Sequence, residues 1–541
     1  MAIEGLTELV AKYCTTKGHA YSYGTAGFRD KANILDTVLF TTGIVACFRS
    51  LSLGKAVGVM ITASHNTPCD NGVKIVEPNG AMLDQNWEPL ATEIANKASL
   101  SSIQDFEKYL THKLSEFTLN TSYQPILVVG RDSRESGPHL LECLIASAKT
   151  IMKAKIIDYG LLTTPQLHFL TNETNINNSD NVPESEYYTY FLNAWSNITK
   201  LHNVIEIFSS TLTIDAANGI GGPKMQEMLK SWSAAKQVTL INNQWQNPEL
   251  LNNDCGADYV KTNQKLPNTV SVNSDDKSLY CSFDGDADRI VFYYQDKDHK
   301  FHLLDGDKIS TLFALFISRL LKDANLQSKI TMGVVQTAYA NGSSTKYLTE
   351  TLKVPVSCAK TGVKHLHHEA ITNYDVGIYF EANGHGTIIF SDNFKKVCNK
   401  SLKENFNSVA VNTLVSLARL INQTVGDAIS DMLGVLSVLS IMKLTPEQWD
   451  QEYVDLPNLL TKAIVPDRAV FTTTDQERKL VSPLGLQAKI DATVAQFNQG
   501  RSFVRASGTE DAVRIYAEAA TKEETKILSE QVTRHVLETV Q

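Results

Sequence analysis

The chain has 541 residues, with 50 Lys+Arg against 59 Asp+Glu and a formal net charge of −9, a length that suits about three or four domains. Hydrophobic residues make up 43% and charged residues 20%, a globular balance that argues against disorder or a fibrous repeat. The acidic excess counts against a non-specific nucleic-acid binder, which needs a net basic face, but leaves room for a small basic pocket.

The opening stretch, MAIEGLTELVAKYC at 1–14, predicts a short amphipathic helix with acidic residues rather than a basic region followed by an apolar signal core. Gly24-Thr25-Ala26-Gly27-Phe28-Arg29 then places an arginine beside flexible backbone. Apolar Val57–Ile61 predicts a strand, and TASHN at 62–66 follows it, with Asn71-Gly72-Val73-Lys74 shortly after. A serine at a strand-to-loop junction is either an exposed nucleophile or a turn and cap residue. His65 is a poor base for Ser64, because chain neighbours in extended backbone face opposite ways, and the sequence carries no GxSxG elbow.

Further strands are predicted at 126–129, 212–214, 290–294 and Val376–Phe380, alternating with helical patterns in the manner of α/β domains with parallel or mixed sheets. The polar stretch 172–188 lacks periodicity and reads as a surface loop or linker. Gly219-Ile220-Gly221-Gly222 follows a strand and offers backbone to a phosphate, but matches neither GxGxxG nor a P-loop.

Asp284-Gly285-Asp286-Ala287-Asp288-Arg289 carries the clearest chemistry. Three carboxylates at i, i+2 and i+4 of an extended segment project to one side, and hard oxygen ligands of like charge suit Mg²⁺. An EF-hand would need Gly at Arg289 and Glu at Gln295, so that reading fails. Lys360-Thr361-Gly362-Val363-Lys364-His365 forms one polar loop. Glu381-Ala382-Asn383-Gly384-His385-Gly386 forms another, where Asn383-Gly384 predicts a two-residue hairpin turn. Its polar tip suits hydrogen bonds to sugar hydroxyls. His368-Glu369 lacks the second histidine of a zinc HExxH motif, since Thr372 stands there.

The most apolar run, 432–442, is too short and too broken to span a membrane, and reads as part of a packed helix over 427–444. Thr445-Pro446-Glu447-Gln448 resembles a helix start. Finally, Arg505-Ala506-Ser507-Gly508-Thr509-Glu510 precedes a strand-like 514–518 that begins with Arg514. Two guanidinium groups, two hydroxyls and amides around a glycine make an anion nest for a phosphate monoester. A Ser/Thr turn before a charged strand would show the same pattern. The eight scattered cysteines show neither zinc spacing nor a disulfide framework, and suit a reducing compartment.

With these stretches in this order, the sequence resembles the α-D-phosphohexomutase superfamily along nearly its whole length. The superfamily's phosphoserine loop matches TASHN at Ser64, and its metal loop matches DGDADR at Asp284, Asp286 and Asp288. Its sugar loop matches EANGHG at Glu381, Asn383 and His385, and its phosphate loop matches RASGTED at 505–511. EANGHG, together with NPELLNNDCGADYVK at 247–261, is similar to the eukaryotic branch that acts on N-acetylhexosamine phosphates. Glucose and mannose phosphomutases usually carry Glu-x-Ser-Gly in that loop, which makes Asn383 the informative departure.

The resemblance implies an α/β chain: three α/β domains with mixed sheets plus a smaller C-terminal α+β domain around a central cleft. Their expected bounds are 1–175, 176–297, 298–444 and 445–541. It implies interconversion of N-acetylglucosamine 6-phosphate and 1-phosphate through a phosphoserine at Ser64 and a sugar 1,6-bisphosphate, in UDP-N-acetylglucosamine biosynthesis. Mg²⁺ would sit on Ser64 and the three aspartates. Thr361, Gly362, Glu381, Asn383 and His385 would bind the sugar, and Arg505, Ser507, Gly508, Thr509 and Arg514 the phosphate not in transfer. Arg29, His65 and Lys74 are candidates for acid/base work or phosphate neutralisation. A phosphorylated serine is a donor, so it needs no activating base. The implied partners are small sugar phosphates, with no nucleic acid, membrane or obligate protein partner, and the implied location is cytoplasmic. Alternatives are a glucose or mannose phosphomutase, a Mg²⁺-dependent phosphohydrolase using Ser64, and a non-catalytic sugar-phosphate binder.

Overall fold

Strand Val57–Ile61 is buried at every residue, as a run of consecutive apolar residues requires when both faces of a sheet are covered. The computed structural model describes residues 5–24, 26–116, 122–204, 207, 211–270, 278–405, 408–507 and 511–540. In it the first sheet comprises β1 (Phe28–Lys31), β2 (Val57–Ile61), β3 (Asp70–Val76), β4 (Ile126–Arg131) and β5 (Lys155–Leu161), in the order β1-β3-β2-β4-β5. β3 runs antiparallel to both β1 and β2, whereas β2, β4 and β5 are parallel. Helices Asp36–Leu53 and Thr164–Ile176 pack against β2 and β4.

The second sheet repeats this mixed plan with β6 (Leu212–Asp215), β7 (Val238–Ile241), β8 (Leu279–Phe283), β9 (Ile290–Gln295) and β10 (Phe301–Leu304), in the order β10-β9-β8-β6-β7. Here β7, β6 and β8 are parallel, and β8, β9 and β10 are antiparallel. A third sheet takes Val356–Cys358, Met332–Gln336, Val376–Phe380 and Gly386–Phe390 in spatial order. The last part of the chain is α+β: antiparallel strands Asn458–Ile464, Ala512–Glu518 and Arg501–Ala506 carry helix Lys522–Val540. A small hairpin, Thr472–Thr474 with Lys479–Ser482, lies beside them. The four-part α/β architecture expected from the sequence is present.

The chain forms two compact units. One comprises Met1–Asp305, Asn383–Thr387 and Val415–Pro446; the other comprises Gly306–Ala382, Ile388–Leu414 and Glu447–Gln541. Helix Ala428–Met442 belongs to the first, almost wholly buried, with the Asp427 side chain capping its N-terminus. The helix predicted over 427–444 is therefore real. The helix that best meets the length and apolarity of a membrane span is instead Asp36–Leu53, and 83% of it is buried inside the fold.

Two local expectations fail for physical reasons. The segment 172–188 is not one loop: helix Thr164–Ile176 runs into it and helix Ser185–Leu201 begins within it. Its polar residues hide the helical period because they hydrogen-bond internally. Asn175 Oδ1 accepts from Ala56 N at 3.0 Å, and its Nδ2 donates to Ala56 O at 2.9 Å and Pro78 O at 3.0 Å. The Asn383-Gly384 turn is also wider than two residues, since the flanking strands end at Phe380 and restart at Gly386. A two-residue type I′ turn needs positive φ at both central positions, and of the pair only Gly384 has it (φ 85°).

Asn175→Ala should leave the backbone of Ala56, which is 3% exposed, without its partners. Each orphaned buried group costs about 1–3 kcal/mol. Urea denaturation followed by circular dichroism should therefore show an earlier first transition, whereas Asn177→Ala, at the exposed helix end, should shift it little.

Candidate active site and metal centre

β2 and β4 are parallel neighbours, so the loops leaving their carboxyl ends lie side by side, where open α/β sheets usually place their ligands. The loop after β2 carries Ser64, which adopts left-handed backbone with φ 51°, a costly conformation for a residue with a Cβ. The surroundings fix it. Ser64 N donates to Thr62 Oγ1 at 2.9 Å. Arg134, just past β4 and only 1% exposed, donates from Nη2 to the carbonyls of Ser64 and Asn66 at 3.0 and 2.9 Å. Its Nη1 donates to the carbonyls of Thr67 and Asp70 at 2.5 and 2.9 Å. Asn252 Nδ2 reaches the same Ser64 and Asn66 carbonyls at 3.0 and 3.1 Å. Asp132 pairs with Arg134 Nε at 3.0 Å and accepts from Thr62 Oγ1 at 2.7 Å. One buried guanidinium thus shapes the whole serine loop.

The loop after β8 brings Asp284, Asp286 and Asp288, all buried, with one oxygen of each within 4.8 Å of the others. Their convergence does not come from an extended segment, as the spacing suggested. The loop turns, with Ala287 N donating to Asp284 O at 3.1 Å and Ala287 at φ 56°. Gly285 is required because a Cβ there would collide with Ser64 O and Asn252 Nδ2. Ser64 Oγ donates to Asp284 Oδ2 at 2.6 Å and lies 3.4 Å from Asp288 Oδ1. Asp286 Oδ2 accepts from Thr164 Oγ1 at 2.6 Å and lies 3.2 Å from Thr62 Oγ1, whose proton goes to Asp132, whereas its Oδ1 is buried without a partner. The glycine-rich turn after β6 packs here as well, with Ile220 N donating to Gly285 O at 3.0 Å. It supports the aspartate loop.

Burial and the neighbouring charges of Asp288 and Asp286 push the Asp284 carboxyl well above its usual range. Asp288 is buried too, but His385, Lys74 and Arg289 hold its carboxyl below the usual range. Three such carboxylates cannot all stay ionised together without more positive charge nearby. An all-oxygen set with one buried, unpartnered oxygen fits Mg²⁺.

Positive groups surround the pair. Lys74 Nζ lies 3.2 Å from Asp288 Oδ2 and 3.7 Å from Asp286 Oδ2. Arg289 Nε lies 3.8 Å from oxygens of Asp284 and Asp288. Arg29 donates to Asn66 Oδ1 at 3.1 Å, and burial with the charge of Arg289 holds it below its ordinary value. Burial, Arg289 and Arg29 bring His65 down to about 2, so its imidazole is neutral, and its Nδ1 is buried without a partner. His385 also belongs here, with Nδ1 4.0 Å from Asp288 Oδ1. Its turn is seated by Gly384, whose O accepts from Ile290 N at 3.2 Å and where a Cβ would strike the Ile290 carbonyl. Asn383 Oδ1 accepts from His385 N at 3.0 Å and holds the turn.

The remaining predicted residues lie in the second compact unit. Gly362 N donates to Glu381 Oε1 at 3.0 Å. Arg505 and Arg514 face each other across paired strands, and Ser507 N donates to Ala512 O at 2.8 Å. Gly508 and Thr509 lie outside the described residues. Sequence reasoning did not find Arg134, Asn252 or Glu477, which accepts from Thr361 and Arg505. The polar triplet Asp132–Arg134 at the end of an apolar strand was the one available signal for the first.

Along 551 aligned residues the chain is 56% identical to phosphoacetylglucosamine mutase of Saccharomyces cerevisiae, covering 98% of each protein. The chain belongs to the phosphoacetylglucosamine mutase family. Models of phosphoacetylglucosamine mutase AMG1 match domain II at residues 178–291 and domain III at 305–444. Those of phosphoglucomutase/phosphomannomutase match the α/β/α domain I at 24–102 and 103–206 and the C-terminal domain at 460–535. The phosphoacetylglucosamine mutase of Homo sapiens is 44% identical over 541 residues, covering 99% of this chain and 98% of that one. Among solved structures, an N-acetylglucosamine-phosphate mutase in its substrate complex superposes with TM-score 0.91 at 50% identity, over 99% of this chain and 100% of that one. The Aspergillus fumigatus N-acetylphosphoglucosamine mutase in complex with GlcNAc-6P and magnesium gives TM-score 0.92 at 43% identity, over 100% of both chains.

Arg134→Lys keeps a charge beside Asp132 but cannot span the carbonyls of the serine loop. Hydrogen bonds from a charged donor contribute about 1.5–3 kcal/mol. Amide exchange across residues 62–70, read by mass spectrometry, should speed up by about 10–100-fold, while that of β4 should stay unchanged.

Proposed function

We propose that this protein interconverts N-acetylglucosamine 6-phosphate and N-acetylglucosamine 1-phosphate, supplying UDP-N-acetylglucosamine synthesis. The contact of Ser64 Oγ with Asp284 at 2.6 Å, inside a loop locked in a left-handed conformation, carries this reading. Such a serine is presented to a cation site rather than to a histidine base, as suits a phosphoryl donor.

Ser64, carried as phosphoserine, gives its phosphoryl group to the free hydroxyl of the bound sugar phosphate. The bond from phosphorus to Ser64 Oγ breaks, a bond to the sugar oxygen forms, and the hydroxyl proton ends on the released Ser64 Oγ, with the neutral imidazole of His65 placed to relay it and Arg29 and Lys74 neutralising phosphate charge. The resulting 1,6-bisphosphate turns over, and its other phosphate returns to Ser64. Asp284, Asp286 and Asp288, with a phosphoserine oxygen, would hold Mg²⁺, which supplies charge neutralisation on the transferring phosphoryl group. Arg134 and Asn252 hold the donor loop still, so transfer rests on positioning. Arg505, Ser507, Gly508, Thr509 and Arg514 take the phosphate not in transfer. Thr361, Gly362, Glu381, Asn383 and His385 take the sugar, with His385 also adding charge beside Asp288. We assign these roles to four segments, 1–175, 176–297, 298–444 and 445–541. All eight cysteines are free, which suits a cytoplasmic enzyme.

The test is isomerisation by purified protein with Mg²⁺ and a trace of sugar bisphosphate. kcat/KM on N-acetylglucosamine 6-phosphate should exceed that on glucose or mannose 6-phosphate by about 10–100-fold or more. Ser64→Ala should lower turnover by about three orders of magnitude or more and remove the one-phosphoryl mass increment from the intact protein. Net release of inorganic phosphate in place of isomerisation would favour a phosphohydrolase.

A further inference from the structure

Glu477 receives three hydrogen bonds at its carboxylate. Arg505 Nη1 donates to Oε1 at 2.9 Å, while Thr361 N and Thr361 Oγ1 donate to Oε2 at 3.0 and 2.6 Å. A guanidinium, a backbone amide and a hydroxyl aimed at two oxygens of one anion are the donors that a phosphate monoester uses. We propose that the Glu477 carboxylate occupies, in the resting protein, the position of a substrate phosphate edge, and sets phosphate affinity by competing for Arg505 and Thr361. This rests on the reading of Arg505 as a phosphate ligand, gives the Thr361 donors to that phosphate rather than to the sugar, and adds a residue that sequence did not point to.

The contact is built to be replaced. Glu477 meets Arg505 end-on through a single N–H, not as the forked pair that a carboxylate or phosphate can form with a guanidinium. Arg505 has a second anchor, its Nε donating to Tyr339 OH at 2.9 Å, with the guanidinium 5.6 Å from the Tyr339 ring centroid. The arginine therefore keeps its place when the carboxylate leaves. Glu477 stands at the end of a tight turn in which Asp475, Gln476 and Glu477 all adopt left-handed backbone, with φ of 50°, 54° and 71°. Three consecutive residues with side chains in that region are strained, and the bonds to Arg505 and Thr361 offset the strain. An anion that takes over those donors lets the turn relax away. Burial opposes ionisation of Glu477, but the Thr361 hydrogen bonds and the Arg505 charge outweigh it and hold its carboxyl below the usual range. The occupant is thus an anion in its own right.

The experiment is calorimetric titration of the full-length protein with inorganic phosphate and, separately, with N-acetylglucosamine 6-phosphate. It compares wild type, Glu477→Gln, Glu477→Asp, Arg505→Ala and the Glu477→Gln/Arg505→Ala double variant. Glu477→Gln, which removes the competing charge but keeps the shape, should bind inorganic phosphate on the order of 3- to 10-fold more tightly. Glu477→Asp should stay near wild type, and Arg505→Ala should weaken binding and abolish the gain in the double variant. A role in holding the hairpin together would not tighten phosphate binding. If Glu477→Gln binds phosphate no more tightly while Arg505→Ala still weakens it, the competition is refuted and Arg505 keeps its role. If Arg505→Ala leaves wild-type phosphate binding unchanged, the reading of Arg505 falls and the competition falls with it.

Discussion

Three carboxylates, each almost wholly buried, lie within 4.8 Å of one another and against a serine hydroxyl. Burying like charges together is costly unless a cation or hydrogen bonds compensate, and much of the first compact unit is arranged as that compensation. Lys74 comes from β3, Arg289 from the aspartate loop and His385 from the returning turn. Thr164 donates its hydroxyl to Asp286. What they leave is one buried, unpartnered oxygen on Asp286.

The serine side of the contact is held as firmly. A phosphoryl donor must be held to within a fraction of an ångström of its reactive geometry, yet Ser64 sits in a loop with a strained backbone. Arg134 resolves the conflict by taking four carbonyls of that loop on one buried guanidinium. Asn252, from the segment beside the second sheet, grips two of the same carbonyls. The serine loop and the aspartate loop are thereby fixed to each other as well as to their own strands, and Gly285 is what lets them approach.

How legible each part was in the sequence follows from the range of its interactions. The aspartate triplet was readable because its ligands are local and their chemistry is unusual. Its geometry was not, since the left-handed turn at Ala287 depends on what packs around it. Ser64 alone is an ordinary loop serine; Arg134, which gives it meaning, is distant in sequence and meets the serine loop only at backbone carbonyls, so no side-chain pattern links them. The end of helix Thr164–Ile176 shows no helical period beyond residue 171 because Asn175 is spent on the backbone of Ala56 and Pro78. Glu477 is hidden for a similar reason: an acid in a polar turn carries no signal of its own, and its meaning comes from Thr361 and Arg505, which converge on it. Order of motifs along the chain supplied what single motifs could not.

The chemistry at Ser64 depends most on whether the buried aspartates form a cation site. The direct measurement is thermal denaturation of wild type and of the Asp284→Asn/Asp286→Asn/Asp288→Asn variant, each in chelator and across a Mg²⁺ titration. A ligand at 100 times its Kd stabilises a folded protein by about 2.7 kcal/mol, so wild-type Tm should climb with Mg²⁺ and then flatten in its logarithmic rise. The variant, freed of like-charge repulsion, should match or exceed wild type in chelator and show no response to Mg²⁺. Equal Mg²⁺ dependence in the two proteins, or none in wild type, would contradict the account.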